Sequence, residues 1–219
     1  MLLLALETAT EKGSLTLMAG DRVLMEYSLE SPNAYLTCLM PGVAAILRDT
    51  CREIAHLTAV AVSTGPGNFT GLRIGLATAK TLAWSLWRPL VPVPTLEVLA
   101  AQCPFHPHPI GVVMDAKRGE VFWGLFRCRA DWPQGLEGPL RLPVGELPAR
   151  LSVPLLLTGP GLDAHRDESS RLDLATTSAM NASTLIAQYE FSVMAIGGFM
   201  AAKIEPGDSV VVPEKLLQV

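Results

Sequence analysis

The segment STGPGNFTGLRIGLATAK, residues 63–80, places glycines at 65, 67, 71 and 75 between a run of small and β-branched residues, Ala59 to Ser63, and a long apolar stretch. That arrangement dictates the order strand, tight loop, helix, which belongs to the α/β class. Three uses of such a loop differ physically. In one, glycine-freed N–H groups at the helix N-terminus hold an anion. The Lys-Ser or Lys-Thr pair of a GxxxxGK[ST] loop is missing around Gly71-Leu72-Arg73, however, and Thr70 stands at the third glycine position of a GxGxxG fingerprint. In the second, Gly65 and Gly67 only turn the chain while Asn68 or Thr70 caps the helix. In the third, the helix itself matters. Leu72, Ile74, Leu76, Leu82, Trp84, Leu86 and Trp87 surround most of it, and a helix apolar all round is covered on more than one side. Gly71, Gly75 and Ala79 form a small-residue stripe at four-residue spacing. Such a stripe serves a subunit contact or the chain's own core, and the sequence leaves both open.

Around this segment, Leu2 to Leu6, Ser14 to Met18 and Val23 to Leu29 read as a three-strand meander. Leu36, Leu39, Met40, Val43, Ile46 and Leu47 recur at helical spacing, with Pro41 expected to kink or weaken that helix. Gly71 to Trp87 reads as a long helix, Leu90 to Val93 as a strand, and Thr95 to Ala101 as a helix. The stiff PFHPHP segment at 104–109 marks a lobe boundary: a first lobe over 1–104, a connector at 105–109 and a second lobe over 110–219. Ile110 to Met114 and Val121 to Arg127 flank a tight turn, so the second lobe opens as the first does. Residues 131–154 are rich in proline and glycine without a clear pattern. Beyond them we expect a strand at Leu155 to Thr158, a helix over Ala182 to Lys203 interrupted at Gly197-Gly198, and a last strand at Val210 to Pro213.

Composition narrows the function. Lys and Arg number 17 against 21 Asp and Glu, a formal charge of -4; a chain that grips a polyanion unaided needs clustered cations, so contact with RNA is expected only through a partner. The four cysteines, at 38, 51, 103 and 128, form no CxxC pair, and the MLLLALETAT start lacks the basic region and length of a secretory leader. Reduced thiols in a cytoplasmic protein follow. Arg73 and Lys80 interrupt the longest apolar stretch, which excludes a membrane span. An apolar share of 49% against 17% charged residues leaves hydrophobic surface for a subunit contact. No nucleophile and base pair emerges, and His56, His106, His108 and His165 lack the HxxxH or HExxH spacing that sets two imidazoles on one helix face. We expect neither a metal nor proteolysis.

The stretch GPGNFTGLRIGLATAKTLA resembles the segment GPGSFTGxRIGxxxAxGLA of the TsaB family, also called YeaZ. LALETAT at 4–10 is similar to that family's LAIDTAT, and MDAKRGEVFWGLF at 114–126 to its IDARRGEVYxAxY. The likeness covers about the first 130 residues, with Leu157 to Gly161 beyond. Three departures stand out: Glu7 where the family has Asp, Asn68 where it prefers Ser, and Tyr35 where it has a His.

The resemblance implies an α/β protein of the actin-like ATPase fold, the Hsp70 and actin type, in two lobes each starting with a βββαβα unit. It implies a non-catalytic, cytoplasmic subunit for N6-threonylcarbamoyladenosine (t6A) modification at adenosine 37 of tRNA. That subunit pairs with the catalytic paralogue TsaD, is joined by TsaE, and forms a homodimer when isolated. No catalytic or metal-binding residue is implied, and ATP or ADP is implied only at the interface with TsaD. In working enzymes of this fold an acid in each lobe's first hairpin serves metal and phosphates, and Glu7 and Asp115 hold those places; with Gly65 and Gly67 they are the weak nucleotide-binding candidates. The extra methylene of Glu7 displaces its carboxylate for a metal of fixed octahedral geometry. The expected partner interface lies on the first-lobe helices at Leu36, Leu39, Gly71, Leu72, Gly75, Leu76 and Ala79. The competing expectation is an active ATPase or small-molecule kinase of the same fold; a zinc peptidase is weaker.

Overall fold

A computed structural model describes residues 1–164 except 12, 30–33, 104–105, 129–132 and 152–153, together with 178–179. The helix expected over 182–203 and the strand at 210–213 lie outside the described residues.

The first unit, whose described part is Met1–Val93, is built on a five-stranded sheet in the order β3-β2-β1-β4-β5. Strands β1 (Leu2–Glu7), β2 (Gly13–Ala19) and β3 (Arg22–Leu29) form the antiparallel meander read from the sequence. Helix α1 (Ala34–Asp49) crosses to β4 (Ala59–Ser63), and α2 (Phe69–Leu86) crosses to β5 (Leu90–Val93), with β1, β4 and β5 parallel. The order is βββαβαβ. Every residue of β1 and β4 is buried, as central strands of a parallel set must be when helices cover them. Leu4, Leu6, Leu15, Leu17, Val60 and Val62 pack with Leu39, Val43 and Ile46 of α1 and Ala79 and Leu82 of α2 in one core. Pro41 does not break α1. It lies on the exposed side of the helix, where water replaces the hydrogen bond that proline cannot donate.

The second unit begins at Pro94, ahead of the 105–109 connector. Helix α3 (Thr95–Ala101) belongs to it, because Leu96, Leu99 and Ala100 share a core with Ile110, Val112, Met114 and Phe126. Its sheet has the order β10-β9-β6-β7-β8, with β6 (Ile110–Lys117), β7 (Glu120–Arg127) and β8 (Gln134–Pro143) as a second antiparallel meander. The helix that would follow β8 is reduced to 3-10 turns over Val144–Arg150; β9 (Leu156–Thr158), α4 (Gly161–Ala164) and the two-residue β10 (Ser178–Ala179) complete the described part.

Candidate functional site

The glycine-rich loop is held by the turn that follows β1. The Ala9 carbonyl accepts the Asn68 N–H at 2.6 Å, and a side chain at Gly67 would come within 2.3 Å of that same carbonyl oxygen. Asn68 then caps α2, its Oδ1 accepting the Gly71 N–H at 3.0 Å. Gly65 supplies a φ of +100° for the turn, a region closed to most residues. Of the readings open for this loop, the geometry realises the capped turn: the α2 N-terminus is met by a side chain of this chain.

The small-residue stripe faces inward. Gly71, Gly75 and Ala79 are buried, and an added Cβ on Gly75 would meet Thr8 Oγ1 at 2.1 Å. Helix α2 therefore approaches the end of β1 as closely as a helix can, and the stripe serves the unit's own core. Leu39 is buried with it at 2% exposure, while Leu72 and Leu76 are half-buried, Leu76 against the core and Leu72 under Gly65. Of the residues expected at a partner interface, Leu39, Gly71, Gly75 and Ala79 are therefore core positions of the first unit, because the small-residue side of α2 packs on the chain's own sheet. Leu36 lies on α1, its side chain outside the described residues.

The opposite side of α2 is bare. Phe69 is 72% exposed, Trp84 78% and Trp87 87%, with Arg73, Ala77 and Thr81 exposed between them and the Arg73 guanidinium 5.2 Å from the Phe69 ring centroid. On neighbouring α1, Met40 is 47% exposed. Large apolar side chains this exposed on one helix face are uncommon in a surface with no further role. Trp87 closes α2 at φ 53°, its place in a cap where the Arg88 N–H bonds the Ala83 carbonyl at 2.8 Å, so a bulky aromatic occupies a position that favours glycine. The sequence reading counts Trp84 and Trp87 among the residues that surround the helix and leaves Phe69 outside it; their spacing of three is the signal that the two tryptophans lie on one side.

The two acid positions are each engaged within their own hairpins. Glu7, 4% exposed, folds back so that Oε1 accepts the Ala9 N–H at 2.7 Å and Oε2 accepts the Thr10 hydroxyl at 3.0 Å. Burial pushes its carboxyl up to about 7, against the opposing pull of hydrogen bonds from Ala9, Thr10 and Ser63. Asp115, at the end of β6, accepts the Lys117 N–H at 2.7 Å through Oδ1 and pairs with Lys117 Nζ at 2.8 Å through Oδ2. It stabilises a turn in which Lys117, Arg118 and Gly119 all have positive φ. In this structure both carboxylates are thus engaged by groups of their own hairpins. Thr8 and Ser63, which complete the setting of Glu7, carry no sequence signal of that role. Among the described residues, no group of three or more His, Cys, Asp and Glu is disposed to hold a metal ion, and no helix is long and apolar enough to cross a membrane.

A family model described as TsaD, tRNA N6-adenosine threonylcarbamoyltransferase, matches residues 31–131. The chain is 37% identical over 129 residues to the tRNA threonylcarbamoyladenosine biosynthesis protein TsaB of Bacillus subtilis, covering 59% of this chain and 56% of that one. It is 33% identical to the TsaB of Escherichia coli, covering 58% and 55%. The chain thus spans little more than half the length of the curated relatives it matches. Among solved structures it is similar to YeaZ from Pseudomonas aeruginosa, with a TM-score of 0.74, 27% identity and 92% of each chain covered. The ethanolamine utilization protein EutJ from Carboxydothermus hydrogenoformans, at 11% identity and a TM-score of 0.54 over 90% of this chain and 89% of that one, shares the fold alone. The fold is the actin-like one, α/β with mixed sheets.

Proposed function

We propose that this chain, which resembles TsaB (YeaZ) proteins in sequence and fold, is the non-catalytic subunit that supports a TsaD-type transferase in making t6A at adenosine 37 of tRNA. The observation that carries the reading is the outer face of α2, where Phe69, Trp84 and Trp87 stand in water at 72%, 78% and 87% exposure. Burying three such rings is the kind of anchor on which protein association depends. The face replaces the Gly71–Gly75–Ala79 stripe as the proposed landing site, with Leu72, Leu76 and Met40 at its margins. The engagement of Glu7 and Asp115 within their own turns supports a subunit that does no phosphoryl chemistry of its own, any nucleotide being held at the junction with TsaD. TsaE joins the pair, a homodimer through the same face forms when TsaD is absent, and the complex works in the cytoplasm.

The test is a threonylcarbamoylation assay with TsaD, TsaE and the adenylate-forming enzyme, run with and without this chain. We expect t6A only when it is present and loss of that support with Trp84→Glu. Unchanged modification without the chain sinks the reading. Calorimetry with Mg-ATP on the chain alone separates the alternative, an active ATPase or kinase: micromolar binding that Asp115→Ala removes establishes that alternative, and no heat excludes it.

A further inference from the structure

The PFHPHP segment between α3 and β6 brings two imidazoles together. His106 and His108 stand with ring centroids 5.8 Å apart and ring planes at 63°, His106 half-buried and His108 exposed. Prolines at 107 and 109 restrict the backbone on both sides of His108. The HxxxH spacing sought in the sequence sets two imidazoles on one helix face; a bend in a loop does the same for residues two apart.

His106 is also oriented from behind. Its Nδ1 lies 3.1 Å from the His108 carbonyl oxygen and 3.3 Å from the His108 backbone nitrogen, so the ring finds a partner in either neutral tautomer. With the ring proton on Nε2, Nδ1 accepts the His108 N–H. With the proton on Nδ1, the ring donates to the His108 carbonyl and Nε2 presents a bare lone pair. The second arrangement is that of metal-bound histidines, whose other ring nitrogen donates to a backbone carbonyl or a carboxylate. Exchange between the two moves a proton within the residue and releases none.

The ring separation suits a shared ion. An ion about 2.0–2.1 Å from one nitrogen of each ring stands roughly 3.2 Å from each centroid, and a tetrahedral angle then separates the centroids by roughly 5.2 Å. The observed 5.8 Å asks for a shift of about half an ångström or a wider angle at the metal. Among the described residues no third His, Cys, Asp or Glu joins the pair, so water fills the remaining positions. Imidazole donors select late first-row divalent ions over Mg2+ and Ca2+, which prefer oxygen.

We propose that His106 and His108 bind one divalent ion of the zinc, nickel and copper class, His106 through Nε2, with water completing the coordination. The ion clips the loop that leads from α3 into β6. The site rests neither on the docking face of α2 nor on the t6A reading.

Calorimetry with zinc chloride on the intact chain tests this, in a Cys38→Ser/Cys51→Ser background that removes the two exposed thiols as competing ligands. One equivalent is expected to bind with micromolar affinity, and His106→Ala and His108→Ala are each expected to weaken it by about tenfold or more. Mg2+ is expected to give no heat. His106 and His108 belong to neither core of the second unit, so the variants should melt with their parent. Absence of zinc binding overturns the site, as does binding that either histidine variant retains in full, which is an adventitious ion only. Nitrogen-15 spectra of the imidazoles need no substitution at either histidine and decide the matter should a variant fail to fold. Both rings shifting together with zinc, with the His106 proton on Nδ1, support the site; a single ring shifting, or zinc on Nδ1 of His106, overturns it.

Discussion

At Gly75 a single hydrogen decides how close α2 comes to β1. Alanine is favoured over glycine by about 1 kcal/mol inside a helix, yet here its methyl would stand 2.1 Å from Thr8 Oγ1 and 3.0 Å from Thr8 Cβ. Overpacking of that kind costs about 1–3 kcal/mol, so Gly75→Ala is expected to lower the urea midpoint of the isolated chain. Thr8→Ala in the same molecule should recover much of the loss, because it removes the nearest atom. A glycine on a surface reserved for a partner behaves oppositely, with Gly75→Ala neutral or stabilising in the free chain. The thiols divide as sharply. Cys38 and Cys51 are exposed, whereas Cys103 and Cys128 are buried, and burial, with Cys103 adding to it, pushes the Cys128 thiol up to about 11. Since the thiolate is the reactive form, brief iodoacetamide treatment at neutral pH followed by mass spectrometry should label Cys38 and Cys51. Labelling of Cys103 and Cys128 should require denaturant.

The elements were legible where burial imposes a period and illegible where it does not. Strands β1 and β4 and helix α2 bury whole faces, and their apolar runs announce them. Strand β8 escaped notice because Leu142 is its one buried residue and Gly138-Pro139 interrupts it, so no alternation marks it. In α2 small residues lie on one side and aromatics on another, and spacing alone does not say which one meets the sheet. The closeness of Gly75 to Thr8 does. On the proposed docking, the α2 terminus sets stability against association. A non-glycine residue in the left-handed region costs roughly 1–2 kcal/mol, and Trp87 holds φ 53° with its ring 87% exposed. Trp87→Gly is accordingly expected to raise the stability of the free chain by about 1 kcal/mol in thermal or urea denaturation. The same change should weaken the proposed association with TsaD in calorimetry. Trp84→Ala should leave stability within about 0.5 kcal/mol while costing about 2 kcal/mol or more of binding. Equal affinity for all three proteins would move the docking face away from the end of α2.

On the scale of the whole molecule, two meander-led sheets of the same design follow one another, and the repeated strand–turn–strand pattern at the start of each made that legible. Their boundary was harder to read. The proline-rich 104–109 segment looks like a hinge in sequence, but Leu96, Leu99 and Ala100 of α3 belong to the second core, so the division precedes α3. The burial of Glu7 was hidden for a different reason: Ala9 and Thr10, whose groups bond its carboxylate, belong to its own turn and carry no sequence signal of that role. Charge is the property of the whole chain that bears most directly on RNA. With 17 basic and 21 acidic side chains the net is -4, and binding to tRNA is dominated by phosphate contacts that release counterions. The isolated chain is therefore expected to leave tRNA mobility unchanged at about 10 μM protein and about 0.15 M salt, within the range where nonspecific binders begin to associate. Retardation should appear when TsaD is added, with its salt dependence set by the partner's contacts. Retardation by this chain alone, steepening as salt is lowered, would instead assign it a phosphate-binding surface of its own and put tRNA in direct contact with it.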